Sequence, residues 1–248
     1  MWGLGIFLSY QVVHAIFKTE GKTEREFNTL ALFIILGTLI GARVAHILFY
    51  DPIHYWQNPI EILPIKIKGG FEFVGFAGLA SHGGIAGILL AMALYCKRYT
   101  TNYLWLADRL SIVAMLSGGF IRLGNLFNSE IIGLPTKAPW AFIFVKIDQL
   151  PRHPAQLYEA LFYFIMFFVL WWFYKRSKLY RTKGLIVSLS LIVLFTFRFL
   201  VEFVKVDQEL LDYGLNINMG QLLSLPFIII GIVMLIIFTG RRGSKLPL

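Results

Sequence analysis

Two short stretches gather the side chains that handle phosphate esters and protons. Arg122, Asn125, Asn128 and Glu130 fall within Arg122-Leu-Gly-Asn-Leu-Phe-Asn-Ser-Glu130, otherwise mostly apolar, with Gly133 just beyond. A guanidinium grips phosphate oxygens bidentately and keeps its charge away from water, while amides and a carboxylate orient hydroxyls. The blander reading has Arg122 snorkelling to headgroups and Asn125 capping a helix. The second stretch, Gly75-Phe-Ala-Gly-Leu-Ala-Ser-His-Gly-Gly-Ile-Ala-Gly87, places His82 among small residues. Glycines let backbone or lipid approach the ring closely, and a neutral imidazole accepts a proton near neutral pH. The Gly83-x-x-x-Gly87 spacing fits a helix-packing seam equally well, so these residues alone leave both readings open.

Further along, Arg198 and Glu202 stand at i, i+4 on one helical face, where they can neutralise each other. Arg152-His-Pro-Ala-Gln-Leu-Tyr-Glu159 reads largely as a helix start, with Pro154 in the first turn. Asp108 and Arg109 point to different sides of one helix, so each is expected to find its own interhelical partner. His14, His46 and His54 have no comparable polar company and receive no role. The single cysteine, Cys96, excludes an internal disulfide, and without clustered Cys/His spacing neither a metal site nor a cofactor is expected. Any reacting thiol must then come from a substrate.

These groups sit on elements that only a bilayer accommodates. Of 248 residues, 57% are hydrophobic and 15% charged, and the mean hydropathy is +0.69. A soluble core has no room for that much apolar surface. The net charge of +9 is spread over short connections with no aromatic-interleaved basic stripe, so membrane lipid and topology account for it better than nucleic acid does. Apolar runs long enough for a hydrocarbon core of ~30 Å occur at 2–17, 29–50, 71–96, 103–120, 155–174, 184–203 and 219–239. The expectation is an all-α, polytopic protein with seven transmembrane helices, forming one membrane domain over 1–248. Its first helix is read as retained, since no cleavable signal is evident.

Lys and Arg number 13 in segments 18–28, 97–102, 175–183 and 240–248, against 7 in 51–70, 121–154 and 204–218, a set twice as long. The first set is read as cytoplasmic. That puts the N-terminus in the periplasm, the C-terminus in the cytoplasm, and the long loops around 51–70 and 121–154 on the periplasmic side, where function is sought. Arg43, Arg109 and Arg198 remain inside spans, each at a cost of ~2.5–3.5 kcal/mol on insertion scales, and need partners or a ligand.

Taken together, the motifs resemble the prolipoprotein diacylglyceryl transferase family. The likeness rests on Ser-His-Gly-Gly at 81–84, Arg-x-Gly-Asn-x-x-Asn-x-Glu at 122–130 closing at Gly133, and Arg-His-Pro-x-Gln-Leu-Tyr-Glu at 152–159. Arg-Phe-x-Val-Glu-Phe at 198–203 and Met-Gly-Gln-Leu-Leu-Ser at 219–224 follow in order, and Gly41-Ala-Arg43 also fits. The match departs from the family at Ile121, where a glycine is common, at Leu134 in place of an arginine, at Leu194 in place of a tyrosine, and at Trp2, where the first span is expected to carry a tyrosine.

The resemblance implies a multi-pass enzyme of the bacterial inner (cytoplasmic) membrane. It would move the diacylglyceryl group of phosphatidylglycerol to the lipobox cysteine of a prolipoprotein, whose signal peptide is the partner. His82, Arg122 and Arg198 are then the catalytic candidates, with Asn125, Asn128, Glu130, Gly133, Glu202 and Arg43 as substrate-binding or supporting positions. Two other readings compete: a lipid or small-solute transporter using the buried arginines as substrate sites, and a non-catalytic membrane chaperone descended from the enzyme.

Overall fold

The computed structural model describes residues 1–62, 65–66, 72–73, 78–176, 182–206 and 217–243. Among them lie helices α1 (Trp2–Thr19), α2 (Glu24–Phe49), α3 (Pro52–Gln57), α4 (Ser81–Tyr99), α5 (Tyr103–Asn128), α6 (Ala155–Arg176), α7 (Leu185–Val201) and α8 (Met219–Gly243). Two antiparallel pairs of two-residue strands interrupt the all-α expectation: β1 (Ile65–Lys66) with β2 (Glu72–Phe73), and β3 (Phe142–Ile143) with β4 (Pro151–Arg152). Five helices, α2 and α5 to α8, are long and apolar enough to cross a membrane, which makes the chain a multi-pass membrane protein. Gln11, His14 and Lys18 in α1, and His82, Lys97 and Arg98 in α4, leave those two helices short of that apolarity.

Two expected boundaries move. The span expected at 71–96 begins as helix only at Ser81, because Glu72–Phe73 is strand and Gly78 turns the chain at φ +74, a conformation suited to glycine. In the other direction α5 runs on to Asn128, so Arg122, Asn125 and Asn128 ride its last two turns rather than a loop. Nothing in 121–128 breaks a helix, and the end comes where Ser129 turns to φ 60. Residues 75–77 of the glycine segment, and Lys68, Lys178, Arg181 and Lys245 of the charge comparison, lie outside the described residues.

The chain sorts into two compact units. In the unit formed by Met1–Ile16 and Ala107–Leu248, Ser9 bonds Ser117 at 2.7 Å and Gly5 lies under Phe120. Phe162 stacks on Phe197 at 3.8 Å, and Phe195 on Phe227 at 4.3 Å. The fully buried Asp108 accepts N–H bonds from Gly184 (2.7 Å) and Val187 (2.9 Å), capping α7 from another helix. Arg109 lies over the Tyr174 ring of α6, so each of the two neighbours has its own interhelical partner as expected, although Arg109 also stays 3.8 Å from the Asp108 carboxylate.

In the unit Phe17–Leu106, a capping box starts α2, with the Thr23 and Glu26 side chains each accepting from the other's backbone N–H. Its Gly37 and Gly41 meet Gly83 and Gly87 of α4 with backbone touching backbone: a Cβ at Gly87 would land on the Gly37 carbonyl, and one at Gly41 on the Gly83 carbonyl. In an apolar medium, packing of this kind is what holds helices together. Gly83-x-x-x-Gly87 is therefore a packing seam, as the blander reading had it, with its partner in Gly37-x-x-x-Gly41.

Gly87→Val should cost ~3 kcal/mol or more, since the carbonyl it strikes belongs to rigid backbone, and should lower the thermal midpoint of the solubilised protein. Gly84→Ala meets nothing closer than 3.6 Å and should leave that midpoint unchanged.

Candidate functional site

The centre of the polar cluster is Glu159, on the first turns of α6 and only 1% exposed. Its Oε2 lies 3.2 Å from Arg122 Nε on α5, and its Oε1 accepts from Lys205 Nζ at 3.0 Å. Lys205 also donates to Glu202 Oε1 at 3.1 Å, and that oxygen lies 3.8 Å from Arg198 Nη2. Arg122, Glu159, Lys205, Glu202 and Arg198 thus form one chain of alternating charge. Lys205 and Glu159 are both buried, so neither tolerates losing its partner. Each carboxylate stands between two cations, and three cations against two carboxylates leave one positive charge in surplus.

The second half of α5 builds the rest. Asn125 Nδ2 donates to Glu130 Oε2 at 2.6 Å, Asn128 Nδ2 to Glu130 Oε1 at 3.2 Å, and Gln156 Nε2 to the Glu130 carbonyl at 2.6 Å. These bonds fix which way both buried amides point, and among the described residues Asn125 Oδ1 and Gln156 Oε1 accept nothing. Glu130 itself is held between Ser129 (φ 60) and Ile131 (φ 56). A β-branched residue in the left-handed region is strained, and such strain persists only where the surroundings over-determine it.

Those surroundings are a set of backbone bonds. Gly133 N–H donates to the His153 carbonyl (3.1 Å), His153 N–H to Leu134 (3.0 Å), Leu134 N–H to Val204 (2.9 Å) and Val206 N–H to Ile132 (3.2 Å). Segment 132–134 is threaded between 153 and 204–206, and a Cβ at Gly133 would strike the His153 and Val204 carbonyls. Arg152 locks the same place, donating to the Gly133 carbonyl at 3.2 Å and twice to Asp148. The Arg152 hydrogen bond holds the Asp148 carboxyl below the usual aspartate range, so the pair stays charged at any pH above it. At the start of α8, a Cβ on Gly220 would fall 2.5 Å from the Glu202 carboxyl carbon, so a side chain there would displace that carboxylate.

Seven of the nine sequence-expected positions therefore lie in one unit: Arg122, Arg198 and Glu202 in the charge chain, Asn125, Asn128 and Glu130 in the amide–carboxylate group, and Gly133 in the backbone bonds beside them. His82 and Arg43 belong to the other unit. His82 is the second residue of α4, solvent-exposed, with no side-chain partner among the described residues. Arg43 directs its guanidinium at the carbonyls of Glu61 (2.5 Å), Ile62 (3.1 Å) and Gly78 (3.3 Å) and stacks over Tyr55. His54 and His46, given no role from sequence, do have company: His54 pairs with Glu61 at 2.8 Å, and His46 stacks on Tyr50 with Gly78 against its ring.

Sequence reasoning missed Lys205, counted only as a loop charge, and read Glu159 only as a residue entering its helix. For Lys205 a signal existed. It follows Glu202 by three residues and Arg198 by seven, extending the same helical face.

The family model of prolipoprotein diacylglyceryl transferase matches residues 1–237. A protein of Bacteroides fragilis is 44% identical over 99% of this chain and 90% of its own length. One from Tolumonas auensis is 43% identical over 98% and 91%, and one from Bordetella bronchiseptica is 33% identical over 98% and 92%. All three are named phosphatidylglycerol–prolipoprotein diacylglyceryl transferase.

Lys205→Met leaves the Glu159 and Glu202 carboxylates facing each other and should destabilise the protein by about 3–5 kcal/mol, read as a lowered thermal midpoint. Lys205→Arg should recover most of that loss. Equal midpoints for Met and wild type would mean the carboxylates need no cation between them.

Proposed function

The chain belongs to the prolipoprotein diacylglyceryl transferase family, and we propose on that footing that the alternating-charge network is where the phosphate of its lipid substrate is held and released. The activity is transfer of the diacylglyceryl group from phosphatidylglycerol to a prolipoprotein, the first step of lipoprotein maturation. The observation that carries the site assignment is the chain from Arg122 through Glu159, Lys205 and Glu202 to Arg198, which ends in a guanidinium on each side.

In the proposed reaction the lipobox cysteine sulfur attacks the glycerol carbon bonded to phosphate. A C–S bond forms and the C–O bond breaks, so glycerol phosphate leaves with the bonding pair and the thioether remains on the precursor. Negative charge grows on the departing phosphate oxygen. Guanidinium groups aimed at it bind the transition state more tightly than the ground state, which accelerates the step rather than merely tightening binding. Glu159 and Glu202 keep the two arginines in fixed orientation before the lipid arrives, and Lys205 offsets one of the two carboxylate charges, so the arginines meet the phosphate with one positive charge in surplus. Such pre-organisation costs no reorganisation during the reaction.

Glu130, fixed by Asn125, Asn128 and the strained turn at 129–131, is positioned to orient headgroup hydroxyls. The thiol proton needs an acceptor, because the thiolate is the nucleophile and a free thiol has a pKa near ~8.5. The exposed His82 imidazole is proposed as that acceptor. The supporting frame is seven spans with the N-terminus periplasmic in the bacterial inner membrane, read from the 13 to 7 asymmetry of Lys and Arg, and the whole chain is proposed as one catalytic domain.

Arg122→Ala and Arg198→Ala should each reduce transfer about 100-fold or more, measured by mass spectrometry of a lipobox peptide incubated with phosphatidylglycerol and the reconstituted enzyme. Because Arg122→Ala also takes one of its two cations from Glu159, leaving Lys205, Arg122→Ala/Glu159→Gln is assayed beside it; full turnover by the folded variants would remove the arginines from the mechanism. Lipid movement without a covalent product would instead favour a transporter.

His82→Gln should slow transfer measured across pH 6–8, since the imidazole proposed to take the thiol proton is then gone. If its rate matches wild type across that range, the histidine is a packing residue.

A further inference from the structure

Within the unit Phe17–Leu106, α2 and α4 enclose an apolar groove of about 520 Å³ that the transfer chemistry does not use. Its floor is the glycine seam. Its walls are large side chains turned outward, among them Phe33, Ile40, Leu90 and Leu94, with Ile40 59% and Leu90 61% exposed. Along α4 the lining runs from Gly83 to Leu94, roughly 17 Å at 1.5 Å per residue. One leaflet of a ~30 Å hydrocarbon core is roughly 15 Å deep. Along α2 the lining runs farther, from Phe33 to Phe49, roughly 24 Å, so the groove reaches beyond the depth of one leaflet, and on α4 its Gly83 end adjoins His82, where that helix begins.

The occupant follows from size and from what the glycines already do. A transmembrane helix ~30 Å long and ~10 Å wide fills on the order of 2,000 Å³, several times the space present. Close approach of a third helix needs free small residues, but Gly37, Gly41, Gly83 and Gly87 are already in backbone contact with each other. An extended hydrocarbon chain fits both limits, and a concave, glycine-floored groove gives it more packing contact than the flat side of a helix. That difference matters because the surrounding lipid is equally apolar, leaving packing as the main source of preference.

We propose that this groove holds one acyl chain of the phospholipid substrate and measures its length, with Leu90 and Ile40 setting the depth available. The proposal rests on the transferase reading for its substrate and adds to it the determinant of acyl-chain choice. The chain lies with its glycerol end toward His82 and its methyl end toward Phe33 and Leu94. Filling the groove at mid-depth should shorten the chain it accepts.

Two readouts test this. In nanodiscs, phosphatidylglycerol carrying a diazirine at the middle of one acyl chain should label peptides of α2 and α4 preferentially. Leu90→Trp should cut that labelling about fivefold or more, by analogy with the discrimination packed pockets show against excess volume. Leu89→Trp, at the same depth but off the groove, should leave it unchanged. Even labelling of all lipid-facing helices overturns the proposal. So does its displacement by a lipobox signal peptide, which would make the groove a helix dock. In the transfer assay, Leu90→Trp should lower the ratio of dipalmitoyl to dilauroyl phosphatidylglycerol consumed by roughly tenfold, with Leu89→Trp as wild type; equal ratios for the two variants overturn it. Absence of transfer by wild type would count against the activity assignment alone, and the labelling would still decide the groove.

Discussion

Everything in the polar cluster depends on one buried carboxylate. Glu159 is almost fully removed from solvent, and a carboxylate there is tolerable only with cations against it. Arg122 comes from the last turns of α5 and Lys205 from just beyond α7, so satisfying one charge fixes how three segments of the chain meet. Lys205 then recruits Glu202, and Glu202 holds Arg198. The order of signs is what makes the result useful. With Lys205 between the carboxylates, one of their two charges is offset, and the terminal guanidinium groups are held in place with one positive charge in surplus.

Holding those side chains demands backbone placed without slack, and the local conformations record this. Glu130 sits between two residues at positive φ, one of them β-branched. That arrangement is unfavourable in isolation and is held by the bonds tying 132–134 to 153 and to 204–206. Gly133 and Gly220 serve the same end by having no Cβ: one lets three backbone segments meet, and the other lets the start of α8 touch Glu202. The glycines of the motifs are geometric requirements of the charge network rather than flexible joints.

Much of this was legible in the sequence, and what was not has a definable physical cause. Apolar runs located the long helices, because a bilayer sets both the length and the composition of what crosses it. They misplaced the start of α4, where Gly78 and the β1–β2 pair interrupt a segment that is apolar on average. The end of α5 was misjudged because polar residues after position 120 look like a loop when hydrophobicity is the guide, although no residue there breaks a helix. Within the site, i, i+4 logic found Arg198 with Glu202, a pairing internal to one helical face. It could not find Glu159 with Lys205, which stand 46 residues apart and meet only through tertiary packing. Distant ion pairs leave no periodic trace in a single sequence.

The departures from the family motif illustrate the same separation between what backbone and side chain must do. Leu134 replaces an expected arginine, yet the main chain at 134 still donates to Val204 and accepts from His153, while the side chain is exposed. Its structural duty is met by any residue of extended conformation. Trp2 stands in place of a tyrosine, and its indole ring lies about van der Waals distance from Gly124, 3.1 Å from where a Cβ would sit. An aromatic ring thus lies against α5 beside Asn125 and one turn from Asn128. Nothing in the structure explains Ile121 or Leu194. None of the four positions contributes a charge to the chain from Arg122 to Arg198, so its sequence of signs is the same whatever residue stands at these margins.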